Sequence, residues 1–130
     1  MTVRLSNVPA LSEPPGYHHL AVADGRTLVF TAGQVPLDGS GELVGEGDAV
    51  RQTEQVLANL LLSPEAAGAR AEQVVKTTVY VVGGDHDRQA AVWNVVRDSP
   101  VGASPSTLVG VASLGYRGQL VEIEAVAVRD

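Results

Sequence analysis

Two carboxylates one residue apart, Glu122 and Glu124, stand in the apolar segment "LVEIEAVAV" at 120–128. Carboxylates can take part in proton transfer, but the plain reading of both is solvated residues on a partly exposed strand face. Successive side chains of a strand point to opposite faces, so Leu120, Glu122, Glu124, Val126 and Val128 share one face. Val121, Ile123, Ala125 and Ala127 share the other, which reads as a core face. The first face mixes aliphatic groups with acids and needs a cover of its own. For Glu124 the expected state is a solvated residue or a salt bridge.

The other candidates are sparse. His18, His19 and His86 are the only histidines. Adjacent His18 and His19 point to opposite faces of an extended segment and do not chelate one metal together. With no cysteine and no H-x-x-x-H spacing, no metal and no cofactor are expected. The missing cysteine also excludes disulfides and thiolate nucleophiles. "GEGDAV" and "TAGQVP" are glycine-containing turns without a phosphate-loop pattern, and no nucleophile-elbow serine is present.

Composition narrows the function classes. The chain has 130 residues, 45% of them hydrophobic and 18% charged, and it reads as one domain over residues 1–130 with a sizeable core. Its net charge is −6, with nine scattered basic residues. Nucleic-acid binding draws on clustered lysine and arginine, so no nucleic-acid partner is expected. One Trp, one Phe and three Tyr make a poor stacking platform for bases. No apolar run approaches the roughly 20 residues of a membrane span. The opening "MTVRLSNVPALSEPPG" lacks the apolar stretch of a signal peptide, and a cytoplasmic location is expected.

The elements that must position these residues follow from periodicity. Residues 1–16 read as an irregular arm leading to Tyr17. Strands are expected at about 18–23 and 27–32, around an Asp24-Gly25 turn. Asp48 caps a helix whose stripe is Val50, Thr53, Val56, Leu57, Leu60 and Leu61, with Pro64 disturbing it and Gly68 ending it. "EQVVKTTVYVV" at 72–82 is the clearest strand, with Val75, Thr77, Val79 and Val81 on one face and Val74, Lys76, Thr78 and Tyr80 on the other. A second helix spans about 85–98. "SPSTLVGVASL" and "GQLVEIEAVAVRD" close the chain as strands joined by a Gly115–Gly118 loop. The order β-β-α-β-α-β-β predicts an α+β sheet with both helices on one face. The opposite face, with Leu120, Val126, Val128, Val74 and Tyr80, is left for a second copy of the chain.

Several stretches together carry a specific resemblance. "TAGQVP" (31–36), "VVKTTVYV" (74–81), "PST" (105–107) and "VEIEAVAV" (121–128) closely resemble the Rid family of reactive intermediate deaminases. The same family is also called YjgF or L-PSP endoribonuclease. "PPGYHHLAV" and "EAAGARAEQVVKTTVYV" resemble its tyrosine arm and its helix-to-strand passage, so the likeness runs from about residue 14 to 128. The resemblance implies a chorismate-mutase-like α+β fold with a mixed sheet and two helices on one face. It implies a homotrimer whose sheets line a central barrel, with pockets between subunits. It further implies cofactor-free hydrolysis of enamines and imines to ketones and ammonia. Carried over, the pocket tyrosine falls on Tyr17, the glycine after the second strand on Gly33, and the water-activating glutamate on Glu122.

The chain also departs from that pattern. The family's carboxylate-gripping arginine in Pro-x-Arg is matched by Thr107 of Pro105-Ser106-Thr107, which offers a hydroxyl and no charge. Ala32 replaces a serine of the family turn. Arg117 in the nearby loop is a candidate substitute for the lost cation, against the plain reading of a solvated arginine. His18, beside Tyr17, is a candidate polar group. The leading expectation is a divergent Rid protein acting on a reactive imine, enamine or related small metabolite. The alternative is a non-catalytic trimeric module that binds a small molecule or a protein, and an endoribonuclease ranks last. Chorismate mutase shares the fold, but its dicarboxylate substrate needs cations that this site lacks.

Overall fold

Helix α1, Ala49–Ala66, starts where the sequence places its cap: the Asp48 side chain accepts the Arg51 backbone N–H at 3.0 Å. In this computed structural model, which describes residues 2–130, Val56 and Leu60 of α1 are fully buried. The helix runs through Pro64, which lies in its last turn and so forgoes only one late hydrogen bond. The Pro64 carbonyl accepts the N–H groups of Ala67 and Ala69, and Gly68 turns the chain at a φ of +80°.

The chain adds three strands before α1: β1 (Thr2–Ser6), β2 (Leu20–Asp24) and β3 (Thr27–Phe30). After it come a 3₁₀ turn at Ala71–Gln73, β4 (Val74–Val82), α2 (His86–Arg97), β5 (Ser106–Val111) and β6 (Val121–Arg129). The main sheet has the order β3-β6-β4-β5, with β4 and β5 parallel and the other pairs antiparallel. Both helices cover one face, where Val79 and Val81, Val92 and Val96, and Val121 and Ile123 are fully buried. Each such aliphatic side chain contributes about 1.5–3 kcal/mol of burial. This is the mixed α+β sheet expected from the sequence.

Three local expectations need correction. The first 16 residues are not wholly irregular, because β1 pairs antiparallel with β2 as a separate two-stranded sheet. The strands flanking Asp24-Gly25 do not pair with each other. Arg26 donates its N–H to the Arg129 carbonyl at 3.1 Å, which carries the chain from the small sheet onto β6. Finally, Val74 is 2% exposed and belongs to the core. A register shift between Val74 and Lys76 turns it to the helix side, as an extra residue in a strand does.

The sheet face away from the helices is therefore composed differently from the expectation. Val128 is buried, and Leu120 packs partly against the core. The exposed apolar groups are instead Leu28 and Phe30 of β3, at 59% and 72%, with Val109 of β5. Between them lie Lys76, Thr78 and Tyr80 of β4 and Glu122, Glu124 and Val126 of β6.

Candidate functional site

Glu122 is held from below by a loop that two buried glutamines organise. Gln52 of α1, fully buried, donates to the carbonyls of Gly45 and Gly118 at 3.0 Å and accepts the Leu120 N–H at 2.7 Å. Gln119, 3% exposed, accepts the Tyr116 N–H at 3.1 Å through its carbonyl. Its amide donates to the Val121 carbonyl at 3.1 Å and to Glu122 Oε1 at 3.0 Å. One oxygen of Glu122 is thus bound by a donor that is itself buried and hydrogen-bonded through both its amide and its carbonyl.

The other oxygen rests on Gly33. A Cβ at Gly33 would lie 2.1 Å from Glu122 Oε2, so the carboxylate occupies the space that only a glycine leaves. The segment beyond β3 is held there by backbone pairing of Gln34 with Ile123, at 2.8 and 3.2 Å. Thr31 adds two bonds to Ala125, one through its N–H and one through its hydroxyl, each 3.0 Å. From α1, Asn59 donates to the carbonyls of Val35 and Leu37, both at 2.8 Å. Ala32 is exposed beside Gly33, and its carbonyl accepts from the Thr31 hydroxyl. Glu122 and Gly33 are in contact, and Ala32 adjoins Gly33 in the chain.

Tyr80 stands opposite Glu122 in the β4–β6 pairing, yet its hydroxyl donates to Glu124. That hydrogen bond, followed by burial and the charges of Glu124 and Glu122, raises the Tyr80 phenol above its ordinary range. Glu124 is therefore engaged by a phenol, and no salt bridge to it is found among the described residues.

Thr107 is exposed on this same sheet face, where its hydroxyl accepts from the Lys76 ammonium at 2.7 Å. The neighbouring Ser106 points the other way and accepts from the buried Thr77 hydroxyl at 2.8 Å. Arg117 is exposed in the 112–120 loop and borders, with Gln119, an open cavity of about 360 Å³.

Tyr17 and His18 lie elsewhere in the chain. The arm that carries them docks on α2: the Trp93 indole donates to the Pro15 carbonyl at 2.9 Å. Tyr17 meets Trp93 edge-on, with ring centroids 5.8 Å apart. His18 makes both its backbone N–H and its Nδ1 contacts to the Ala103 carbonyl, at 3.1 and 2.7 Å. His19 is structural, accepting the Val8 N–H at 3.0 Å. Tyr17, His86, Gln89, Trp93, Ser106 and Leu108 line a cavity of about 310 Å³ that does not include Glu122. Among the described residues no cluster of three His, Asp or Glu side chains could hold a metal ion.

The family profile described as Endoribonuclease L-PSP matches residues 10–129. The chain belongs to the Rid family. A Rid-family protein of Yersinia pestis, YyfB, superposes with a TM-score of 0.86 at 34% identity, covering 98% of this chain and 99% of that one. The 2-iminobutanoate/2-iminopropanoate deaminase of Salmonella typhimurium is 33% identical over 130 residues, 98% of this chain and 97% of the relative. E. coli TdcF, solved with bound serine, superposes with a TM-score of 0.69 at 27% identity, over 100% of this chain and 99% of that one. The Rid fold accounts for the mixed sheet with both helices on one face.

Sequence reasoning missed Gln119, Lys76, Ser106 and Trp93 as parts of these surroundings. Gln119 lies in a loop, where no periodicity tells which way a side chain points. Lys76 was placed on the correct face, but only the β4–β5 register, Thr78 opposite Thr107, brings it to Thr107.

Proposed function

We propose that this Rid protein hydrolyses a reactive imine or enamine in a pocket between subunits of a homotrimer, with Glu122 as the base. The arrangement of Glu122 carries the reading: Oε1 is tied to Gln119, and Oε2 lies over Gly33 with no side-chain hydrogen bond among the described residues. A water hydrogen-bonded to Oε2 loses a proton to it while its oxygen bonds to the C=N carbon. The nitrogen takes up the C=N electron pair and a proton. Collapse of the resulting carbinolamine releases ammonia and leaves a ketone, so the sum is imine plus water to ketone plus ammonia. No cofactor enters this balance.

The separation of Glu122 from Tyr17 supports a pocket completed by a second copy. One chain holds the base and the glycine in one place and the tyrosine in another cavity. The open sheet face, with Phe30 and Leu28 exposed, is the surface on which trimer contacts would form. Among the described residues the chain has no helix long and apolar enough to cross a membrane.

The second reading is a trimeric binding module without turnover. Thr107, bound to Lys76 where an arginine is implied, favours it by weakening the grip on a substrate carboxylate. Ammonia release from 2-iminopropanoate generated in situ, and from neutral imines, separates the two readings. Release above the uncatalysed rate from at least one of them supports the enzyme, and none from any supports the module. Ribonuclease activity ranks last, given the net charge of −6.

A further inference from the structure

We propose that the cavity at the C-terminal end of α1 is a binding site for a small zwitterion with an aliphatic body, its ammonium group at Glu65 and its carboxylate at Arg70. Leu61, Glu65, Ala69, Arg70, Ala71 and Pro100 line this cavity of about 350 Å³, within the roughly 300–1,000 Å³ typical of ligand pockets. Glu122, Gly33, Tyr17 and Thr107 do not border it, so it stands apart from the site proposed for hydrolysis. It is built from the end of α1, the turn leading into β4 and the turn after α2. The open sheet face takes no part in it, so contacts between copies on that face leave it accessible.

The walls are set in advance. The Pro64 carbonyl accepts the Ala69 N–H at 2.8 Å, and Ala69 is buried at 4% exposure. The backbone of Arg70 is clamped by buried Gln73. The side-chain carbonyl of Gln73 accepts the Arg70 N–H at 2.8 Å, and its own N–H donates to the Arg70 carbonyl at 3.0 Å. Leu61, Ala69, Ala71 and Pro100 give an aliphatic floor without an aromatic group, which suits a branched alkyl chain.

Two charges select the ends of the ligand. Glu65 stands in the last turn of α1, where the partial negative charge of the helix end disfavours an acid, and no basic residue lies in that turn to offset it. Among the described residues its carboxylate has no ion pair. An ammonium group placed there is attracted by the carboxylate and by the helix end together. Arg70 spends its Nε on Glu72 at 3.1 Å, in a pair exposed on both sides, and its two terminal nitrogens hold no partner among the described residues. A guanidinium offers those nitrogens to a carboxylate as a fork. A neutral or singly charged ligand would leave at least one of the two groups unmatched.

The test is a titration of the isotope-labelled full-length protein, followed by its backbone amide resonances, at about pH 7, where amines and carboxylates are both charged. The probes are L-leucine, 3-methylbutylamine and 4-methylpentanoate, which carry one branched chain with both charges, the amine alone or the acid alone. Leucine is expected to shift the Ala69 and Ala71 amides saturably. It should bind about two- to fivefold more tightly than either singly charged probe, the range of one exposed ion pair. Glu65→Gln should bring leucine to about the affinity of 4-methylpentanoate, and Arg70→Gln to about that of 3-methylbutylamine. Both residues are exposed, so these variants are expected to keep the native fold. Glu122→Gln should leave the Ala69 and Ala71 shifts unchanged even where it abolishes turnover, which separates this proposal from the catalytic one. Equal affinity of the three probes, no effect of either substitution, or no saturable shift at Ala69 and Ala71 would overturn it. Leucine shifts confined to Gly33 and the surroundings of Glu122 would also overturn it, by placing the ligand in the hydrolytic site.

Discussion

The buried amide of Gln119 donates to Glu122 Oε1 at 3.0 Å while its carbonyl is held by the Tyr116 N–H. The carboxylate is thereby oriented by a side chain that is itself fixed at both ends. Hydrogen bonds to a charged group contribute roughly 1.5–3 kcal/mol net, enough for about a 10- to 100-fold effect if the orientation matters in the transition state.

Gln119→Met should therefore lower kcat by about 10- to 100-fold with little change in KM, because buried Gln119 acts through its bond to Glu122. Steady-state ammonia release checks it. A change confined to KM would mean that Gln119 shapes the pocket without orienting Glu122.

Gly33→Ala tests the other oxygen. The new methyl would lie 2.1 Å from Oε2, so the carboxylate must move or rotate. Activity should fall by about 100-fold or more, while circular dichroism and thermal unfolding show a folded protein with modest loss of stability. Wild-type turnover in a folded Gly33→Ala protein would show that the carboxylate position is not critical.

Tyr80 gives a pH signature. Its phenol is raised by the hydrogen bond to Glu124 first, then by burial and nearby negative charge. A folded-state value above the unfolded one means that the native protein holds this proton longer. The associated stability is fully present below about pH 10, the unfolded phenol value, and is lost as pH rises towards the higher folded value. Tyrosinate absorbance should show a late-titrating component that disappears in Tyr80→Phe. An unchanged titration in that variant would contradict the assignment.

Assembly is the fourth expectation. Light scattering coupled to size exclusion should give about three times the 13.5 kDa chain mass. Introducing charge at Phe30, by Phe30→Asp, should shift the mass towards that of a single chain, since this 72% exposed ring lies on the proposed contact face. A monomer at micromolar concentration would remove the inter-subunit site.

Much of this architecture was legible in the sequence because burial imposes a period. The alternation in 121–128 separates Glu122 from Ile123, and the stripe of α1 with its Asp48 cap is plain except at Val50, which is 40% exposed. Val74 escaped that logic, since a one-residue bulge reverses a face and leaves no periodic trace. The β1–β2 pairing escaped too, because short strands in a polar, proline-containing arm carry a weak pattern. In the site, Glu122 and Gly33 were reached through family resemblance, and their contact is visible only in space. Gln119 sits in a loop whose conformation depends on Gln52, 67 positions earlier in the chain, through its bonds to Gly118 and Leu120.

The most direct measurement is the rate of ammonia release by Glu122→Gln against wild type, on whichever imine the wild type turns over. Glutamine keeps the size of the side chain and an acceptor oxygen for Gln119 but cannot take up the proton of the attacking water. The expected result is a loss of about 10²–10⁴-fold in kcat, with the native mass retained in solution. A Glu122→Gln protein of native mass that releases ammonia at the wild-type rate would contradict the role of Glu122 as the base.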